Sequence, residues 1–213
     1  MLKIPLHIAA INGRLQMCRM QLDVSGIELN AQDAFGRTPL LYAVRNSNAE
    51  VVELFLRKGA KCDIYDRTRN GVLHYACRQN DATLTSLLLN VIDNTCIIDA
   101  QNDEMKTALH YAVSNGMVSS VEKLIMTGAS VCVMDENDVT PVFACASNQN
   151  ASDCLALMLC LLFPEKSDTL LPRSSWDSRK SDMSQYKHNS SSLKAAKDTK
   201  ESISTQSSDS EYY

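Results

Sequence analysis

An internal repeat restricts this chain more than any other feature. Lys3-Ile4-Pro5-Leu6-His7-Ile8-Ala9-Ala10 returns as Arg37-Thr38-Pro39-Leu40-Leu41-Tyr42-Ala43-Val44 and then as Gly71-Val72-Leu73-His74-Tyr75-Ala76-Cys77. It returns again as Thr107-Ala108-Leu109-His110-Tyr111-Ala112-Val113 and, more weakly, as Thr140-Pro141-Val142-Phe143-Ala144-Cys145. The spacing is about 33 residues and widens slightly between the third and fourth copies. A unit that small cannot bury its apolar face alone, so about three or more must stack, each against its neighbours. About five copies meet that condition.

Each copy carries the signals of a turn followed by two helices. Asp33-Ala34-Phe35-Gly36 supplies an Asp-x-x-Gly turn. Pro5, Pro39 and Pro141 stand at the start of a helical pattern, where a missing N–H costs nothing, and Thr38 and Thr140 just before can cap free donors. Val51-Val52-Glu53-Leu54-Phe55-Leu56 and Val121-Glu122-Lys123-Leu124-Ile125 form second helices, and Gly59-Ala60 and Gly128-Ala129 mark their exits. This Thr-Pro-Leu-His-x-Ala core at this period resembles the ankyrin repeat. The expected fold is an all-α ankyrin-repeat solenoid of about five helix-turn-helix repeats with β-turn tips over residues 1–164, the first repeat truncated. The resemblance implies that His7, His74 and His110 are structural, bonding the backbones of neighbouring repeats.

Two places depart from the pattern. The first copy lacks its turn half, so Leu6, Ile8 and the helix from Arg14 to Leu22 are expected to form an uncapped apolar edge. In the third copy Asp66-Arg67-Thr68-Arg69-Asn70-Gly71 replaces the usual turn, and Asn90 to Thr95 lacks the Gly-Ala exit, which predicts a longer, less regular loop. After Pro164 serine dominates and apolar residues become sparse, so residues 165–213 are expected to be a disordered tail in which Trp176 is incidental and Lys194 to Lys197 forms a transient turn. Ser208 and Ser210, within Ser207-Ser208-Asp209-Ser210-Glu211, are candidates for acidic-directed phosphorylation.

A formal charge of -4 and a pI near 5.6 leave no basic footprint for nucleic acid. The longest apolar run, Cys154 to Phe163, is about half of the roughly 20 residues a membrane span needs and reads as a buried terminal helix. Pro5 and His7 interrupt the N-terminal stretch, and no signal-peptide core follows. Cytoplasmic location, extending to the nucleus, is the expectation. None of the 8 cysteines forms a Cys-x-x-Cys pair; they read as small buried hydrophobes in a reducing compartment.

The best enzymatic pattern is His74 with Cys77, which share a helix face and could serve as a nucleophile pair or half a zinc site. No third orienting group accompanies them, and no Gly-rich phosphate loop occurs, so the expectation is no catalysis, no metal and no cofactor. Binding is better supported, because a solenoid of this kind lines up its turn tips and first helices on one concave face. The leading contacts are the tip residues Phe35, Arg37, Arg67, Arg69, Glu104, Lys106, Glu136 and Asn137, with Phe35, Arg37 and Arg67 foremost because Arg and exposed aromatics are enriched at hot spots. Tyr42, Tyr75 and Tyr111 share one register and are expected mainly in the core, with hydroxyls edging the groove.

A closer resemblance lies near the C-terminus. Val133 to Pro141, Ala144-Cys145-Ala146-Ser147-Asn148 and above all Asp153-Cys154-Leu155-Ala156-Leu157 look like the final repeat of the ankyrin-repeat regulatory subunits of protein phosphatase 6. The Ser208 to Glu211 ending is similar too, whereas Asp138-Val139 and Val142-Phe143 diverge. This resemblance implies a scaffold that brings a Ser/Thr phosphatase catalytic subunit and its second regulatory subunit to substrates, although those family members carry many more repeats. The alternative is a generic ankyrin adaptor, such as a substrate receptor or cytoskeletal linker; a cytosolic domain of a membrane channel or transporter is a third class.

Overall fold

The computed structural model describes residues 4–24, 26–92, 94–147 and 151–162. The expectations for the tail, including Trp176, Ser208 and Ser210, lie outside the described residues. Five helix pairs follow one another: α1 (Pro5–Ile11) with α2 (Leu15–Leu22), α3 (Pro39–Arg45) with α4 (Ala49–Arg57), and α5 (Val72–Arg78) with α6 (Ala82–Leu89). A single helical turn, α7 (Thr95–Ile98), then precedes α8 (Ala108–Ser114) with α9 (Val118–Met126) and α10 (Pro141–Ser147) with α11 (Ser152–Leu162). No strand occurs among the described residues.

The first helices of the pairs form one row, in which α1, α3, α5, α8 and α10 touch in that order, and the second helices α2, α4, α6, α9 and α11 form another behind it. Between the rows lies the core: Leu40, Leu73 and Leu109 from the first, Phe55, Leu84, Leu88 and Leu124 from the second, all buried. Ala43, Ala76 and Ala112 are fully buried at the helix centres, where a larger side chain would hold the paired helices apart. Their carbonyls close the pairs. The N–H groups of Asn48, Asp81 and Met117 donate back to Ala43, Ala76 and Ala112 at 2.9, 3.1 and 2.9 Å, satisfying orphan acceptors at each helix end.

Local signals act as the sequence implies. Pro5 and Pro39 occupy first-turn positions, and the Thr38 hydroxyl accepts the Leu41 N–H at 3.2 Å. Gly59 and Gly128 take φ of 84° and 100° at the exits of α4 and α9, a left-handed conformation that suits glycine. The run from Cys154 is indeed a packed helix, with Cys154, Leu157, Met158 and Cys160 buried.

Two expectations are corrected and a third is refined. Leu6 does not belong to an exposed edge: it is buried, while Ile8 (52% exposed), Met17 (44%) and Met20 (66%) present apolar surface there. The irregular stretch after α6 contains the turn α7, capped where Asn94 Oδ1 accepts the Cys96 N–H at 2.9 Å, with Ile98 buried beneath it. The cysteines are not uniformly buried: Cys96 and Cys132 are exposed and Cys62 is half-buried, because they lie on the connectors between pairs rather than on helix faces that meet the core.

Candidate protein-binding surface

Four turn tips stand at the N-terminal ends of α3, α5, α8 and α10, and each spans five residues in one register: Asp33 to Arg37, Asp66 to Asn70, Asn102 to Lys106 and Asp135 to Val139. A short polar side chain opens each tip. Asp33 Oδ1 accepts the N–H groups of Phe35 and Arg37 at 2.8 and 3.0 Å. Asp66 Oδ1 does the same for Thr68 and Asn70 at 3.0 and 2.9 Å, Asn102 Oδ1 for Glu104 and Lys106 at 3.1 and 2.9 Å, and Asp135 Oδ1 for Asn137 and Val139 at 2.9 and 3.0 Å. A side chain that binds its own backbone in this way mimics a further turn of main chain. The segment from Asp66 to Asn70 therefore makes the usual turn after all.

The fourth tip position is left-handed in every copy, with φ of 74° at Gly36, 58° at Arg69, 53° at Met105 and 57° at Asp138. Only the first tip uses glycine there. At Gly36 a Cβ would come within 3.1 Å of the Arg67 nitrogen and 3.3 Å of Asp66 backbone carbons, because the next tip packs directly on it. The tips are themselves tied together by main chain: Arg67 N–H donates to the Phe35 carbonyl (2.9 Å), Asp103 to Thr68 (3.1 Å) and Glu136 to Glu104 (3.2 Å).

From behind, the first-helix tyrosines brace the tips. The hydroxyls of Tyr42 and Tyr75 donate to Asp33 Oδ2 at 2.6 Å and to Asp66 Oδ2 at 2.5 Å. Where the third tip has an amide, polarity reverses: Asn102 Nδ2 donates to the Tyr111 hydroxyl at 3.0 Å and also reaches Asn70 Oδ1 at 3.0 Å. Burial alone would raise the carboxyls of Asp33 and Asp66, but the tyrosine and backbone donors outweigh it and hold both below the usual carboxylate range.

The histidines form the next layer. Nδ1 of His7, His74 and His110 accepts the backbone N–H at the start of its own helix, from Ile4, Gly71 and Thr107, at 3.2, 3.1 and 3.1 Å. Nε2–H of each then donates to the last carbonyl of the following tip, Arg37, Lys106 and Val139 respectively, at 2.9, 3.0 and 3.1 Å. Burial lowers the pKa of His74 and His110, which suits the neutral tautomer that this pattern of one acceptor and one donor requires. His74 thus has both ring nitrogens engaged away from Cys77. The Cys77 thiol, pushed up to about 12 by burial, contacts Thr85 instead, which leaves no activated nucleophile in that pair. Among the described residues no cluster of three metal-ligating side chains occurs.

All eight residues singled out from the sequence fall on or at the tips. Phe35, Arg67, Arg69, Glu104, Glu136 and Asn137 are exposed, whereas Arg37 and Lys106 are half-buried. Arg37 Nε donates to Asp66 Oδ2 at 3.4 Å, and its guanidinium lies 5.3 Å from the Phe35 ring centroid and 5.7 Å from that of Tyr42, so it spans two tips. Lys106 Nζ pairs with Glu104 Oε2 at 2.9 Å, and this bond holds the Glu104 carboxyl below its usual range.

Sequence reasoning missed Gln32 and Gln101. Each bonds its own tip and the residue just before the next one: Gln32 Nε2 reaches the Gly36 and Tyr65 carbonyls at 2.8 and 3.3 Å, and Gln101 Nε2 those of Met105 and Met134 at 2.7 and 3.0 Å. Their common register, just before the tip, is the signal that could have found them. Arg45 and Arg78 were missed too. They are exposed and share a face with Tyr42 and Tyr75, three residues earlier on the same helices.

Comparison with known proteins agrees with this construction. The family model described as Ankyrin repeats (3 copies) matches residues 6–97 and 73–168. The Nuclear factor NF-kappa-B p105 subunit of Gallus gallus is 30% identical over 168 residues, which is 76% of this chain and 17% of that protein. The p105 subunit of Rattus norvegicus is 31% identical over 136 residues, 62% of this chain and 14% of its own length. The B-cell lymphoma 3 protein of Homo sapiens is 30% identical over 153 residues, 70% of this chain and 34% of its own length. The chain therefore spans about a third or less of these relatives. With the family model covering most of the chain, and with tips, helix pairs and histidine links recurring at its period, the chain belongs to the ankyrin-repeat family of protein–protein interaction modules.

Proposed function

We propose that this chain is a non-enzymatic adaptor that holds a protein partner on its turn tips and first-helix face. The observation that carries the proposal is a row of tips locked from behind by buried tyrosine, histidine and aspartate bonds while Phe35, Arg67, Arg69, Glu104, Glu136 and Asn137 stay open to solvent. A surface ordered before the partner arrives loses little entropy on binding, which is what a recognition site needs. Residues 1–164 carry this role, separately from 165–213. One relative is by its name a subunit of a nuclear factor, which supports a place in a protein assembly.

The finer reading, a regulatory subunit of a phosphatase 6-type holoenzyme, rests on Val133 to Pro141, Ala144 to Asn148, the Ser208 to Glu211 ending and above all the helix Asp153 to Leu157. Cys154 and Leu157 within it are buried, so solenoid packing accounts for that motif without a partner. The adaptor reading is accordingly the one adopted. Affinity purification of the chain from a lysate, with a Phe35→Ala/Arg67→Glu variant alongside, tests it by mass spectrometry. Proteins recovered by the parent chain and lost with the variant support the adaptor; a Ser/Thr phosphatase with a companion subunit among them would restore the finer reading. Identical recoveries would refute a tip-based surface.

A further inference from the structure

The tip face is divided by charge. Arg37, Arg67 and Arg69 mark the first two tips, and Arg45 and Arg78 end the two helices behind them, on the same side as Tyr42 and Tyr75. The last two tips expose Asp103, Glu104, Glu136 and Asp138, and Lys106, the basic residue among them, is spent on Glu104. The two fields meet where Arg78 lies close enough to Glu104 to act on its carboxyl.

Four of these five arginines are not consumed by the fold, whereas Arg37 is held by Asp66. Ion pairs among the described residues join Arg37 to Asp66, Arg57 to Glu53, Lys58 to Asp23 and Lys106 to Glu104, and none uses Arg45, Arg67, Arg69 or Arg78. Arg45 and Arg78 do suit the carboxyl ends of α3 and α5, where a cation interacts with the helix dipole. Yet α8 and α10 end at the same position in Ser114 and Ser147, so this helix architecture does not require a cation there.

We infer that the occupant of this face is an extended peptide segment whose acidic half lies along Arg45, Arg67 and Arg78 and whose basic half lies along Asp103, Glu136 and Asp138. This deepens the adaptor reading and rests on it. Charge complementarity sets both the class of partner and its direction, since reversing the segment would place like charges together along its whole length. First helices about 8–10 Å apart put the row from α3 to α10 at roughly 24–30 Å. An extended chain rising about 3.3 Å per residue covers that in about seven to nine residues. A nucleic-acid strand carries negative charge along its full length and would meet Asp103, Glu104, Glu136 and Asp138 on a chain of net charge -4, so it fits only half the face.

The test is fluorescence anisotropy on the full chain with two labelled peptides of about 12 residues, long enough to span the row. One places an acidic block with a single leucine ahead of a lysine block; its isomer interleaves the same residues. An oligothymidine of similar length is the third probe. The block peptide should bind at least tenfold more tightly than its isomer, weaken as salt rises, and weaken tenfold or more with Arg45→Glu/Arg78→Glu, while Arg57→Glu on α4 changes nothing. Arg45→Gln/Arg78→Gln is the milder companion, with circular dichroism confirming that both variants fold. Equal binding of the two isomers, or indifference to both arginine variants, overturns the inference, and tighter binding of oligothymidine would make nucleic acid the occupant. If the lysate experiment still recovers tip-dependent proteins while the block peptide fails to bind, the adaptor reading stands and the partner class proposed here falls.

Discussion

Replacing Asp66 by alanine isolates what one tip carboxylate contributes. In the folded chain Asp66 Oδ1 accepts the N–H groups of Thr68 and Asn70, and Oδ2 accepts the Tyr75 hydroxyl and Arg37 Nε. Asn70 and Tyr75 are buried, so each would lose its acceptor where water does not readily replace it, at about 1–3 kcal/mol apiece. Thr68 is exposed and Arg37 half-exposed, so together they add no more than about 1 kcal/mol. The sum is a loss of roughly 2–7 kcal/mol, a large part of the stability of a small domain. Asp135→Ala is the internal control: that carboxylate makes the same two backbone bonds, but Ala144 stands where the brace would be, so its loss should be smaller by about 1–2 kcal/mol or more. Urea titrations followed by far-ultraviolet circular dichroism measure both variants through their midpoints and slopes. If Asp66→Ala costs no more than Asp135→Ala, the tyrosine brace contributes nothing and the idea of tips locked from behind is wrong.

Acid should act first through His74 and His110. Burial keeps both below the ordinary imidazole range, so the unfolded chain takes up their protons first; their contribution is whole above about pH 6.5 and is lost as pH falls through that value toward the folded pKa. The urea midpoint should drop between about pH 7 and 5, and His74→Gln/His110→Gln should flatten that dependence; a parent midpoint constant over this span would contradict the buried neutral pair. Asp33, Asp66 and Asp135, held low, add stability that persists above about pH 4 and disappears only as pH falls through their folded values. Leu73→Ala or Leu109→Ala should cost about 2–5 kcal/mol in the same titration, and an unchanged midpoint would reject the assigned core. Gly36→Ala combines a left-handed backbone with a Cβ pressed on the next tip and should destabilise by more than about 1 kcal/mol, whereas Arg69→Gly should be neutral or stabilise by up to about 1 kcal/mol; the same sign for both would mean that the fourth tip position is not strained.

The inter-repeat role of the histidines was implied by the resemblance to the ankyrin repeat, whereas the sequence by itself determined the repeat period, the helix pairs, the exits at Gly59 and Gly128 and the packing of the helix from Cys154. Each of these is written in local signals that recur copy after copy, so several weak statements reinforce one another. The tertiary structure alone decided matters that depend on two copies at once. Stacking of tip on tip bonds the N–H groups of Arg67, Asp103 and Glu136 to carbonyls of the preceding tip and presses the second tip against the place a Cβ would take at Gly36. Stacking of helix on helix buries Leu6, draws Arg37 onto Asp66 of the next tip, and sets Arg45 and Arg78 side by side on the open face although they stand a full repeat apart in the chain. In a solenoid the energy that fixes such features lies in the interfaces between repeats, which a reading of one unit at a time does not contain.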